Sequence, residues 1–235
     1  MKTLILTTNT NHHLFFIKKL NQKFKNIDTV FEKRKNNFKF KIWHNYISKR
    51  DKFEKKFFFN NKLPQIKNLK VFTNVNSKKS IEYISYQNPD VIISFGIGLM
   101  GQKFLKKFKE KKIINLHGGN PIYYRGLDSL LWSLYHKDFK NLISTLHYVD
   151  KKFDTGKIIY QRKIVIKKDS RFEHLRALNT VNCINMVMKY LSNLKRKKKI
   201  KSIKQSKVGR CYSAIPSVLI DQCKKNYKIL LTKLN

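Results

Sequence analysis

Apolar residues along the chain fall into two kinds of run. Continuous β-branched runs predict buried strands, and positions recurring with helical period predict amphipathic helices. Residues 2–8 are of the first kind, and polar turn residues lead from them into a helix on which His13, Phe16, Ile17 and Leu20 recur. Val71 and Phe72 predict a short strand before a helix over residues 80–87. Beyond them Asn88-Pro89-Asp90 is a turn and residues 91–95 a buried strand bounded by Gly96 and Gly98. Residues 103–110 read as a helix and residues 112–116 as the next strand. Strand, glycine loop, helix and strand in this compass is the βαβ signature of a parallel sheet. Downstream, residues 129–136 read as a helix, 142–149 and 157–166 as strands, and 171–194 as a long helix. Residues 25–70, rich in lysine and carrying Phe38, Phe40, Trp43 and Phe57 to Phe59, resolve into neither strand nor helix.

The order predicts an α/β fold, a Rossmann-like and mostly parallel β-sheet flanked by helices. Residues 1–195 would form the main domain and residues 196–235 a short, mainly helical C-terminal extension packed on it. In such sheets ligands gather beyond the carboxyl ends of the strands. The loops after residues 95 and 116 are therefore the places to look for chemistry.

Composition changes the picture little. The chain has 235 residues, 41% hydrophobic, which is enough for a packed core. Lys+Arg 52 against Asp+Glu 14 leaves a net charge of +38, a balance usually read as a polyanion signal. Here 44 of the basic residues are lysine, spread over the whole length beside 22 asparagines. That is a global bias and not a patch, so no specific nucleic-acid partner is expected. Cys183, Cys211 and Cys223 have no metal-ligand spacing, so neither a zinc site nor a disulfide framework is expected. The apolar run from residue 91 to 100 is too short to span a bilayer. A cytoplasmic protein with no membrane partner is the expectation.

The candidate chemistry begins where a predicted strand ends, at Asn115-Leu116-His117, with alternation placing Asn115 and His117 on one face. Gly118-Gly119-Asn120-Pro121 follows, then Tyr124-Arg125-Gly126 and, later, Asp154-Thr155-Gly156. Asn can donate to a developing oxyanion, His can manage a proton and Asp can orient it, which suits acyl transfer. The glycines can equally be turn residues, and His12, His13, His136 and His147 read as structural.

Asn-x-His, Arg-Gly and Asp-x-Gly at this spacing resemble the folate-dependent formyltransferases, over roughly residues 90–161. The resemblance implies a formyltransferase-type core and a catalytic trio of Asn115, His117 and Asp154. It implies 10-formyltetrahydrofolate as formyl donor, held by Ile97, Gly98, Leu99 and Met100 on one wall and Val149, Asp150 and Lys151 on the other. A small-molecule amine would be the acceptor, with Gly118, Tyr124, Arg125 and Gly126 on its side and the Arg125 fork suited to a phosphate. After the histidine, Gly118-Gly119-Asn120-Pro121 departs from the turn common in relatives, which bears on the acceptor. A nucleotide-linked amino sugar is the expected acceptor. Glycinamide ribonucleotide and methionyl-tRNA are the alternatives within the superfamily, and a polyanion-binding protein on such a core is the alternative outside enzymes. Apolar residues between 212 and 220 make a homodimer an expectation.

Overall fold

The computed structural model describes residues 1–33 and 38–234. Strands β1 (Thr3–Thr7), β2 (Ile27–Glu32), β3 (Leu69–Phe72), β4 (Val91–Phe95), β5 (Lys112–His117), β7 (Ile143–Tyr148) and β8 (Ile158–Lys163) form one sheet in the order β3-β2-β1-β4-β5-β7-β8. The first five are parallel, and at one side β7 runs against them and pairs antiparallel with both β5 and β8. The expected mostly parallel α/β sheet is thus what the chain forms.

Strand alternation divides the core into two layers. Ile5, Ile93 and Ile114 pack against helices α1 (Asn11–Lys23), α2 (Asn45–Phe59) and α6 (Leu175–Lys195). Leu4, Leu6, Ile92 and Ile113 pack against α3 (Lys78–Gln87) and α4 (Gln102–Lys107) on the other face. Because both faces are covered, the central strands carry no polar stripe, which is why they read as continuous apolar runs. A third apolar cluster joins α5 (Ser129–Tyr135) to α7 (Ile220–Thr232). Between α6 and α7 the chain adds the three-residue strand β9 (Arg210–Tyr212), parallel to β6 (Tyr124–Gly126). No helix among the described residues is long and apolar enough to cross a membrane.

Several expectations need correction. Residues 25–70, unassigned by pattern, supply β2, α2 and the first two residues of β3, whose other half is the strand expected at Val71 and Phe72; residues 34–37 of that stretch lie outside the described residues. The helix expected to reach residue 110 ends at Lys107, and the last strand of the sheet ends at Lys163 instead of 166. The long helix begins as a single 3-10 turn, Phe172–His174, before α6 proper. The C-terminal extension is not helical throughout, since β9 precedes α7 and Ile203 bridges to Ile158.

Candidate active site

Strand β5 delivers Asn115 and His117 to one face at the carboxyl edge of the sheet. The register of β7 sets His147 directly opposite Asn115. Asp154 lies in the loop between β7 and β8, in the left-handed region at φ 55°. Its carboxylate is the hub of the site. Oδ1 accepts from Asn115 Nδ2 at 3.1 Å, and Oδ2 accepts from the Gly126 amide at 2.8 Å. His117 Nδ1 stands 3.4 Å from Oδ2 and His147 Nε2 stands 3.3 Å from Oδ1.

The two imidazoles are held differently. His117 Nε2 donates to the Tyr124 carbonyl at 2.7 Å, so both of its ring nitrogens face acceptors. His147 Nδ1 donates to the Tyr148 carbonyl at 2.7 Å, and its Nε2 stands 3.1 Å from Asn115 Nδ2 and 3.3 Å from Asp154 Oδ1. Burial alone would raise the Asp154 carboxyl. The His117 charge, the His147 hydrogen bond and the Gly126 amide outweigh it and hold the group well below the usual carboxylate range.

A cavity of about 300 Å³ opens beside this cluster. Ile97, Gly98, Leu99 and Met100 form one wall, and Val149, Asp150, Phe153 and Asp154 the other. The first wall is braced from beneath. Glu32 accepts from the Gly98 amide at 2.8 Å and from the Val75 amide at 3.1 Å. Asn76 donates to the Leu99 carbonyl at 2.9 Å and accepts from the Gly101 amide at 2.7 Å. The loop thus presents a fixed apolar wall with backbone groups between its side chains, a surface suited to a flat heterocycle.

A second cavity of about 150 Å³ shares Gly126 with the first and continues past Gly118 to His12, Arg50, Asp128, Arg176 and Asn179. Arg176 grips Glu54 with two hydrogen bonds, at 2.7 and 2.6 Å, and reaches Asp51 at 2.7 Å. Arg50 also donates to Asp51, at 3.0 and 3.1 Å. His13 packs behind this wall against Gly96 and is pushed down to about 3, chiefly by burial and next by Arg176. Burial also lifts the Asp128 carboxyl above its ordinary value.

Not every expected residue is where it was expected. Lys151 does not line the first cavity; Lys152 and Phe153 do. Tyr124 lines neither cavity. Its hydroxyl donates to Asp138 at 3.0 Å and its carbonyl receives His117. Arg125 lines neither as well, because its guanidinium donates to the carbonyls of Gly209, at 2.6 Å, and Phe153, at 3.0 Å. Gly118 and Gly126 line the second cavity. Sequence reading missed His147, whose place depends on the antiparallel register of β7, and the β9 residues Cys211 and Tyr212, which close the first cavity.

A family model described as formyl transferase matches residues 3–183. GDP-perosamine N-formyltransferase of Brucella melitensis biotype 1 is 34% identical over 94 residues, 40% of this chain and 36% of that one. The curated relatives align over 14% to 36% of their own lengths. The fold is shared with a sugar N-formyltransferase from Shewanella sp. FDAARGOS_354, with TM-score 0.63 and 15% identity over 96% of this chain and 87% of that one. It is shared too with WlaRD, a sugar 3N-formyl transferase solved in the presence of dTDP and 5-N-formyl-THF, with TM-score 0.58 and 17% identity over 91% and 70%. With the matched residues running from β1 into α6 and containing Asn115, His117 and Asp154, the chain belongs to the formyl transferase family.

Proposed function

We propose that the protein transfers a formyl group from 10-formyltetrahydrofolate to a primary amine on a sugar, the sugar being carried by a nucleotide. The observation that carries the reading is the Asn115, His117 and Asp154 cluster lining the first cavity beside an apolar wall, with a second cavity that meets the first at Gly126. The fit to the donor rests on the braced wall from Ile97 to Met100, whose amides and carbonyls lie between side chains. A bound 10-formyltetrahydrofolate supplies an activated formyl carbon and a leaving nitrogen.

The residues of this chain then have separable duties. The amine nitrogen bonds to the formyl carbon, the bond from that carbon to the folate nitrogen breaks, and one amine proton passes to that nitrogen. His117, charged against Asp154, supports the oxyanion that develops. Asn115 joins it by turning one amide hydrogen to the substrate oxygen. Asp154 holds His117 and relays the proton. On the second side, Arg50 and Arg176 line the cavity together with Asp128, Ser129 and Asn179, a mixture of donors and acceptors that suits the hydroxyls of a sugar ring better than a bare phosphate. Such a wall favours the amino-sugar reading over glycinamide ribonucleotide.

Incubation with 10-formyltetrahydrofolate and a panel of nucleotide-linked amino sugars tests the proposal. A product heavier than its acceptor by one carbonyl unit is expected. Formylation of glycinamide ribonucleotide alone would move the acceptor to the runner-up, and no product with any amine would overturn the reading.

A further inference from the structure

The loop that carries the catalytic carboxylate is anchored by residues beyond the 3–183 family match. Asp154 occupies left-handed backbone space at φ 55°, which a side-chain-bearing residue keeps only when its surroundings hold it there. Three carbonyls of this loop are gripped. Arg125 Nη1 donates to Phe153 O at 3.0 Å, while its Nε reaches across to Gly209 O at 2.6 Å. Gln205 Nε2 donates to Asp154 O at 2.7 Å and to Gly156 O at 2.9 Å, spanning Thr155 with the two hydrogens of one amide. Ile203, two residues earlier, exchanges a pair of 2.8 Å backbone hydrogen bonds with Ile158. Residues 203–209 are therefore fastened to β8 on one side and through Arg125 to β6 on the other.

The Gln205 amide is fixed in orientation, since rotating it would set its oxygen against two carbonyl oxygens. Its Oε1 is buried without a hydrogen-bond partner. A buried acceptor left unmade is unfavourable, so the residue is explained by its donors. On the far side of the loop Gly156 is pressed against the Tyr148 backbone, so the turn has no slack in that direction.

We infer that Gln205 is a positioning residue for the catalytic site: by holding the Asp154 and Gly156 carbonyls it sets the turn that aims the Asp154 carboxylate at His117, His147 and the Gly126 amide. Its kinetic consequence rests on the formyl-transfer reading, and its structural consequence does not.

Two substitutions in the full chain test this. Gln205→Met keeps length and bulk without a donor, and Gln205→Lys keeps a donor at its tip. The first measurement is backbone amide exchange without substrate. In Gln205→Met the Gly126 amide is expected to exchange at least about tenfold faster while β1 and β4 amides keep their rates. Gln205→Lys is expected to fall between this and the unsubstituted protein. The second is kinetic: kcat should fall roughly 10- to 100-fold in Gln205→Met, with the affinity for 5-formyltetrahydrofolate little changed, and Gln205→Lys should recover most of the loss. Unchanged Gly126 exchange would overturn the inference, as would faster exchange throughout β1 and β4, or kcat and folate affinity falling together. An unsubstituted protein with no formyl transfer would overturn the functional reading alone, because the exchange measurement needs no turnover.

Discussion

Asparagine takes the left-handed turns in most of this chain, and glycine is kept for the site. Among the described residues, five of the nine non-glycine residues with left-handed φ are asparagines, and Asn60 and Asn88 cap α2 and α3. All eight glycines lie between positions 96 and 209, and Gly96, Gly98, Gly118 and Gly126 line the two cavities. Asp154 is the exception that matters, the hub of the candidate site placed in a turn conformation. Asp154→Asn should lower kcat by at least about 10²-fold, measured at saturating substrates. It should also remove a pH dependence of stability. The folded-state carboxyl is held below its unfolded value near 3.9, so its stabilisation is present above about pH 4 and is lost as pH falls toward the folded value. Denaturant unfolding at pH 7 and pH 3 should show a stability gap between the two proteins that narrows at the lower pH. His147→Ala should reduce kcat about tenfold by freeing Asn115 and Asp154 from one partner, with folate affinity, read by calorimetry, unchanged. Asn115, His117 and Asp154 were legible because they stand in one spaced pattern. His147 was not, because only the pairing of β7 with β5 puts it opposite Asn115.

Elements that were legible share one property, burial on both faces of a parallel sheet. Those that were not break the pattern for a physical reason. Helix α2 buries Glu54 completely, and that charge is tolerable only because Arg176, far along the chain, pairs with it. A hydrophobic-period reading sees a polar residue there and rejects the helix. Strand β3 is a four-residue edge with Leu69, Lys70 and Val71 exposed, so the pattern showed only its last two residues, Val71 and Phe72. Arg176→Ala should therefore destabilise the fold by about 3–5 kcal/mol in denaturant titration, because it strands a buried carboxylate. Strands β6 and β9 were missed for their three-residue length, yet Gly126, Cys211 and Tyr212 on them line the first cavity. Gly126 has φ +86°, and a side chain there would collide with the Tyr212 carbonyl. Gly126→Ala should cost more than the roughly 1–2 kcal/mol of the backbone conformation alone and, by shifting the amide that donates to Asp154, should depress kcat as well.

At the scale of the whole molecule the charge of +38 is the most visible property and the least informative. A partner read from charge alone would be nucleic acid, whereas the family match and the two cavities point to small molecules. Any nucleic acid that binds should do so by counterion release. Filter binding should show affinity falling about 10³-fold or more between 50 and 200 mM salt if six or more phosphates are neutralised, with no sequence preference. Tight, sequence-dependent binding at physiological salt would restore the polyanion reading.

The threading of residues 203–212 between the Asp154 loop and β6 also has a consequence for synthesis. A nascent chain emerges from its N-terminus, and its early elements can pack before the end is made. Here every strand of the main sheet and all of α6 precede Gln205 in the chain. An interrupted translation product ending after α6 would retain the elements of the central sheet, Asn115 and His117, but its Asp154 loop would lack two of its three fastenings. The ribosome thus makes the strands of the sheet first and the fastenings of the Asp154 loop after them, so a fragment released between the two would carry the carboxylate without the grip that aims it.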